Sequence, residues 1–425
     1  MGTGPGRGSR IRPERRRGSG GRTGRRPTPG LACWGRTHLL APRHGGAGAT
    51  AANSRPRVLG AHPHLAKSLR SAPGAARERV PRTEPRSHCG VKVGGGVKAV
   101  AMQEPGRPVL IDRPDPVPAD DFVVVQIKAT PICTEYKLQA SGAVTDALGH
   151  EAAGEVVAVA RPGRVRVGDR VAVMPQTWCG RCALCLAGDY IHCERAPRVA
   201  TPTYAQYVRK QDALLVPIPD GLSYAHGAMA CCGLGPTFGA MRRLGVRAPD
   251  SVLITGLGPV GLGGVINAAA CGARVIAVEG QPYRARLACA LGAAAVIDPR
   301  DPQALTQIRD LTGGGADHGI DCSGSAPAQR LLLDAVRRRG NVAFIGEAGD
   351  LTLSVSRDLL RKGLTLHGCW HYNLADTPRV MALIAELGAQ LDRLITHTFP
   401  MSRVAEAWAL QAGGACGKVV LDPWA

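Results

Sequence analysis

The stretch QTWCGRCALCLAGDYIHC places Cys179, Cys182, Cys185 and Cys193 in a C-x2-C-x2-C-x7-C array. No other feature constrains the fold so tightly, because four thiols this close along a chain oblige the local backbone to wrap around something. Spacings this short let one small loop present four sulfurs at tetrahedral corners, the closed coordination shell of a structural zinc. Disulfides across two-residue gaps would be strained. No signal peptide precedes the array to suggest an oxidising compartment. A thioredoxin-type C-x-x-C needs a strand–helix setting that this segment lacks. The array predicts one structural Zn²⁺ whose task is to stiffen a lobe.

A second donor set is scattered. The segment LGHEAAGEVV (148–157) puts two adjacent ionisable residues, His150 and Glu151, in an otherwise apolar, glycine-bracketed run. Buried without partners, such groups cost on the order of 2–7 kcal/mol each, and a metal ion is one way to offset that. Cys133 in ATPICTEYK lies before the pair and Cys232 in ACCGLGPTFGAM after it. Two cysteines and a histidine are a recognised set for a catalytic zinc, which keeps a fourth position open for substrate. Taken singly, each residue is as well explained by core packing; their order, with the four-cysteine lobe between them, favours the joint reading. Glu151 would hydrogen-bond the site or join the coordination sphere during ligand exchange. Cys231 and Cys232 cannot easily both point into one site, and the following Gly-x-x-x-Thr pattern selects Cys232.

From Ser251 the texture changes. SVLIT reads as a buried parallel strand. GLGPVG follows at once, with Gly256, Gly258 and Gly261 in the G-x-G-x-x-G spacing and Pro259 and Val260 opening the next helix. A second strand, ARVIAVE, ends in Glu279, eighteen residues after Gly261. A glycine triplet between strand and helix, with a downstream acid, is the dinucleotide-binding fingerprint. The glycines let backbone N–H groups approach a pyrophosphate, and Glu279 can accept both ribose hydroxyls. A carboxylate there repels a 2′-phosphate, so NAD is expected over NADP. Arg284 could partly offset this preference, stack on adenine or simply be solvated.

Strand-like segments continue through AVID (295–298), HGIDCSG (318–324), NVAFIG (341–346) and LTLHGCW (364–370), predicting a six-stranded doubly wound α/β sheet. Before Leu234 the short strands VVVQIKA, GEVVAVA and GDRVAVM alternate with Pro/Gly turns, predicting an irregular β-rich domain that carries the metal sites. The formal charge of +20 is misleading: residues 1–90 hold nineteen Arg or Lys against three acids, leaving +4 for the rest. Residues 1–96, rich in Gly, Arg and Pro, cannot bury enough apolar surface to fold and are expected to be a disordered basic tail. An organelle-targeting peptide, a nucleic-acid arm and a later translation start near Val97 are all open for it, and we prefer the last; nucleic acid is not the expected partner. The longest uncharged run, 252–273, is long enough to span a bilayer, yet its glycines sit where a nucleotide fold wants them, so no membrane segment is expected.

GHEAAGEV, the four-cysteine lobe, the Cys-Gly-x-x-x-Thr segment and GLGPVG together resemble the zinc-containing medium-chain alcohol dehydrogenase family, in particular its polyol and threonine dehydrogenase branches. The resemblance runs from about Val97 to the end. It implies a GroES-like catalytic domain (97–235), a Rossmann domain (236–371) and a C-terminal segment (372–425) that returns to the catalytic domain, where GKVVLDP would be the closing strand. It also implies Cys133, His150 and Cys232 as catalytic zinc ligands with Glu151 adjacent, and Cys179, Cys182, Cys185 and Cys193 as structural ligands. One departure matters. Family members commonly carry Ser or Thr two positions after the first cysteine to begin a proton relay; here Glu135 stands there, so Glu135 itself, Thr134 or Tyr136 would serve.

The implied activity is oxidation of a secondary alcohol, polyol or similar compound by hydride transfer to NAD, in a cytoplasmic homodimer or homotetramer. Alternatives are a zinc-dependent aldehyde or ketone reductase and a non-catalytic nucleotide-binding relative. Trp178, Trp370, His371 and Tyr372 are candidates for lining the pocket.

Overall fold

The computed structural model describes residues 96–347 and 349–425; the expectations for the basic tail fall on residues outside these, apart from Gly96. The described residues open with an antiparallel pair, β1 (Val97–Glu104) and β2 (Arg107–Arg113). It then builds a sheet from β3 (Phe122–Pro131), β4 (Ala152–Ala158), β5 (Arg170–Val173), β6 (Tyr207–Gln211) and β7 (Leu215–Pro217). Each pairing among these five is antiparallel. Their inward faces alternate with the pleat, so Val123, Val125, Ile127, Val156, Val171 and Val208 share one small core.

The second lobe is a fully parallel sheet of β8 (Ser251–Thr255), β9 (Arg274–Val278), β10 (Ala295–Ile297), β11 (Ala316–Asp321), β12 (Val336–Phe344) and β13 (Thr365–Gly368). Its order is β10-β9-β8-β11-β12-β13, with every neighbouring pair parallel. That is the doubly wound order, with the switch point between β8 and β11, where such folds bind dinucleotides. β8 shows why the run is continuously apolar: Val252 and Ile254 pack into one core and Leu253 into the core on the opposite face.

The chain then stays with the second lobe for two helices, Thr377–Glu386 and Gly388–Leu394, whose Val380, Ile384 and Leu391 share a core with β8 and β9. It returns to the first sheet only at β14 (Ile395–Pro400) and β15 (Lys418–Asp422). The first sheet is completed in the order β14-β15-β3-β4-β5-β7, with β6 on β3. β15 meets β3 antiparallel through Val420–Pro131 and Leu421–Thr130, and Ile132 N–H donates to Val419 O at 2.9 Å. The last strand is therefore hydrogen-bonded to the backbone that leads into Cys133. No helix among the described residues is long and apolar enough to cross a membrane.

Candidate active site

Cys179, Cys182, Cys185 and Cys193 bring their sulfurs within 4.8 Å of one another. The Cys179–Cys185 and Cys182–Cys193 Sγ separations are both 3.9 Å, close to the roughly 3.8 Å edge of a tetrahedron built on Zn–S bonds of about 2.3 Å. Among the described residues all cysteines are free thiols. The amide of Cys185 donates to Cys182 Sγ at 3.5 Å and that of Cys179 to Cys193 Sγ at 3.4 Å, so backbone N–H groups face two of the sulfurs. The donor chemistry, spacing and surrounding amides fit zinc.

The scattered donors also converge. Cys133, His150, Glu151 and Cys232 have ligand atoms within 4.8 Å of one another, although 99 residues of chain separate the first from the last. Cys133 follows β3, and the His150–Glu151 pair leads into β4. The turn before the pair needs Gly149: its φ is +83°, and a Cβ there would lie 2.4 Å from the Tyr204 ring. Cys232 lies on a helical turn, Met229–Gly233, broken by the non-helical ψ of −124° at Cys231. The break parts the adjacent cysteines. Cys231 donates to Val173 O at 3.2 Å, whereas Cys232 Sγ lies 3.3 Å from His150 Nε2.

The other side of the imidazole explains Glu135. His150 Nδ1 is 2.6 Å from Glu135 Oε1, and Glu135 Oε2 accepts from Cys133 N–H and Tyr204 O–H, both at 3.0 Å. Burial pushes the Glu135 carboxyl up, but His150 outweighs it and holds the group down to about 2. A carboxylate on the outer nitrogen of a ligating histidine fixes its tautomer and aims Nε2 at the metal. Here the structure differs from the relay expectation: Glu135 is buried beneath His150, while Thr134 is exposed and lines the cleft. Tyr136 lines only the neighbouring nucleotide cavity.

Sequence reasoning missed Lys418. At the head of β15, its Nζ donates to Glu151 Oε1 at 2.7 Å, and both side chains are completely buried. Glu151 Oε2 is left without a partner and therefore free to meet a cation. Burial pushes the Glu151 carboxyl up to about 7 against the pull of Lys418, and Lys418 is itself pushed up despite its own burial. These two shifts pull apart. The ion pair is the state we adopt, because part of the upward push on Glu151 comes from Cys133, whose negative charge a bound cation offsets. The signal in sequence was a single cation opening a strand, GKVVLDP, whose next three residues are apolar.

A cavity of about 330 Å³ opens onto this cluster, lined by Cys133, His150, Cys232, Thr134, Val260 and others. A second, of about 240 Å³, is lined by Gly256, Leu257, Gly258, Pro259, Val260, Glu279 and Arg284, and shares Cys133, Thr134 and Lys137 with the first. Metal cluster and nucleotide loop thus face one cleft. A larger hollow, about 460 Å³ along residues 159–169, has three arginines and no residue in common with either; size alone does not locate the chemistry. Gly261 does not itself line the cleft but packs its Cα against the loop, where a Cβ would be 1.9 Å from Gly256 O. Glu279 accepts from Leu257 N–H at 2.9 Å and Gln281 N–H at 2.8 Å. Arg284 is spent on the carbonyls of Gln411 and Cys416, at 3.1 and 3.4 Å. Of the aromatic candidates, Trp370 and His371 line the catalytic cavity. Trp178 packs on the core and Tyr372 is buried in it.

A parallel dinucleotide sheet joined to a β-rich lobe with two sulfur-rich metal sets defines a zinc- and nucleotide-dependent oxidoreductase. Residues 119–220 match the family described as alcohol dehydrogenase GroES-like domain, and residues 259–386 that described as zinc-binding dehydrogenase. The chain is 33% identical over 331 residues to the uncharacterized zinc-type alcohol dehydrogenase-like protein YphC of Escherichia coli K12, covering 72% of this chain and 93% of that one. It is 29% identical to sorbitol dehydrogenase of Bacillus subtilis, covering 77% and 97%. A crystal structure of an NAD-dependent alcohol dehydrogenase superposes with a TM-score of 0.68 at 28% identity, covering 76% and 99%. The chain belongs to the zinc-type alcohol dehydrogenase family.

Proposed function

We propose that this protein is a zinc- and NAD-dependent dehydrogenase that oxidises a secondary alcohol or polyol. The observation that carries the reading is the shared cleft: two thiols and an imidazole, with a buried carboxylate clustered beside them, line the cavity that adjoins the glycine loop. Cys133, His150 and Cys232 would hold the catalytic ion, with Glu151 beside them, and Cys179, Cys182, Cys185 and Cys193 the structural one. When bound, zinc supplies Lewis acidity toward an alcohol oxygen and NAD the hydride acceptor.

The chain's own residues do the rest. Glu135 locks the His150 ring and Lys418 anchors Glu151. The Gly256–Gly261 loop and the helix N-terminus behind it receive the pyrophosphate, and Glu279, with no arginine spent on it, receives the ribose hydroxyls and disfavours a 2′-phosphate. Thr134 lines both cavities, and to its hydroxyl we assign the transfer of the substrate proton through Oγ1 to solvent. A homodimer or homotetramer in the cytoplasm is the setting we assign.

Metal analysis paired with an alcohol and polyol screen, following NADH absorbance, tests the reading. The expected result is two zinc ions per chain and NADH formation, with Cys232→Ser losing one zinc and turnover together. A Cys232→Ser variant with full zinc content and full activity would overturn the ligand assignment.

A further inference from the structure

His371 follows β13 and is only 7% exposed, yet neither Nδ1 nor Nε2 has a hydrogen-bond partner. Leaving a buried polar atom unpaired costs about 1–3 kcal/mol, so two on one ring call for an explanation. Tyr190, Asn267 and Trp408 also keep a buried unpaired atom, but each has only one and none of them lines the catalytic cavity. His371 does line it, together with Cys133, His150 and Cys232. Its ring is held in place by a stack on Tyr372, with centroids 4.9 Å apart and planes 21° from parallel. A second hollow, of about 110 Å³, also borders His371 and is lined by Asp189, Arg242 and Asp376. With two unpaired nitrogens and two bordering hollows, the reading is that water serves one nitrogen and a ligand in the cavity the other.

Burial, seconded by the charge of His150, holds His371 down to about 3, so the ring is neutral at working pH. A neutral imidazole carries one donor and one acceptor. Whichever nitrogen faces the cavity, a hydroxyl can satisfy it, because a hydroxyl both gives and accepts; a carboxylate fits only one tautomer and an ammonium only the other. The charged groups lining the cavity, Lys137 and Glu347, are both exposed, so the buried polar contact available to a substrate is the neutral one.

We propose that His371 recognises a hydroxyl of the substrate other than the one being oxidised, and so selects polyhydroxylated compounds over simple alcohols. This rests on the dehydrogenase reading above. It makes His371 a specificity residue whose removal lowers kcat/KM more for the diol than for the mono-alcohol.

The test compares butan-2-ol, butane-2,3-diol and butane-1,2,3,4-tetrol with the wild type, His371→Phe and His371→Asn, each checked for zinc content, NADH affinity and thermal midpoint. The wild type should favour at least one polyhydroxylated member over butan-2-ol by about 10- to 100-fold in kcat/KM. His371→Phe should bring that ratio close to one, with the larger fall in kcat/KM on the polyhydroxylated member, and His371→Asn, which keeps a donor and an acceptor, should restore part of it. An unchanged ratio in His371→Phe overturns the proposal. So does an equal fall for all three compounds accompanied by weaker NADH binding, which would place the ring on the nicotinamide. If the wild type oxidises none of them, the dehydrogenase reading is what fails. The His371 assignment is then judged by calorimetric titration of the NADH complex with the same compounds, where it requires the polyol preference to vanish in His371→Phe.

Discussion

Gly258 and Gly261 separate what the nucleotide loop needs in order to fold from what it needs in order to bind. Gly258 is the N-cap of the helix Pro259–Ala270, with φ −61° and ψ −179°, an extended conformation open to any residue. A Cβ built on it meets nothing within 4 Å. Replacing it with alanine removes freedom from the unfolded chain, a gain of about 0.4–1 kcal/mol, and weakens the cap by a comparable amount. The net change in stability should stay within about 0.5 kcal/mol, a midpoint shift of roughly 1–2 °C. Binding is different. The methyl would stand where a pyrophosphate must approach the backbone, and losing one charge-assisted N–H contact of about 1.5–3 kcal/mol weakens NADH by about 10- to 100-fold. Gly261→Ala is the opposite case. Its Cβ would sit 1.9 Å from Gly256 O and 3.4 Å from Cys322 Cβ, so the helix has to move off the strand by more than an ångström, an overpacking cost of about 1–3 kcal/mol or more. Fluorescence titration with NADH and thermal melts of the ligand-free proteins give both readouts. Wild-type NADH affinity in Gly258→Ala, or a melting loss in it equal to that of Gly261→Ala, would refute the division.

Three further outcomes follow from the buried charges. Glu135→Gln keeps the shape but not the charge behind His150 Nδ1, and should lose zinc to a chelator about 10- to 100-fold more readily than wild type, as measured by metal analysis after dialysis; unaltered retention would show that the contact is incidental. Lys418→Met strands Glu151 as an uncompensated buried carboxylate and should destabilise the fold by about 3–5 kcal/mol in denaturant unfolding, with much of this recovered when Glu151→Gln is added; an additive double mutant would count against the pair. Lys210 is fully buried, donates to the Gln176 carbonyl and, among the described residues, has no acidic partner. Burial, opposed by Cys231, lowers its amine from 10.5 to about 7. Below pH 7 the amine is charged in both states and the whole burial cost stands; between pH 7 and 10.5 the unfolded chain holds the extra proton, so stability rises with pH. Lys210→Met should therefore stabilise the protein at pH 6, with a gain roughly 2–3 kcal/mol smaller at pH 9; a pH-independent gain would contradict the shift.

What could be read from the sequence was whatever is written in local spacing. The cysteine array, the glycine triplet with Glu279, and the alternation of strands that builds the parallel sheet each lie within a short window, where chain geometry alone restricts the outcome. Cys232 over Cys231 was legible for a similar reason, since two neighbours on one turn cannot face the same point; the structure adds the kink at Cys231 that turns them apart. What was not legible depends on which distant backbones meet. Glu135 lies only fifteen residues from His150, but nothing in its spacing says that the carboxylate turns inward. That follows from Cys133 N–H and Tyr204 O–H holding its other oxygen.

Lys418 is the extreme case, 267 residues from Glu151. The four donors of the catalytic cluster all come from residues 133–232, and read alone that segment appears sufficient for the site. It is not sufficient in charge, because Glu151 is completely buried and its only cationic partner among the described residues comes from β15. β15 reaches it by pairing with β3 through just two residues and then hydrogen-bonding Ile132, next to Cys133. The strand that positions the first thiol is thus also the strand that delivers the balancing ammonium, and the whole nucleotide lobe is threaded between them in sequence. The cluster is therefore completed only by a segment that lies beyond the dinucleotide sheet in the sequence, which ties the metal centre to the lobe that carries its redox partner.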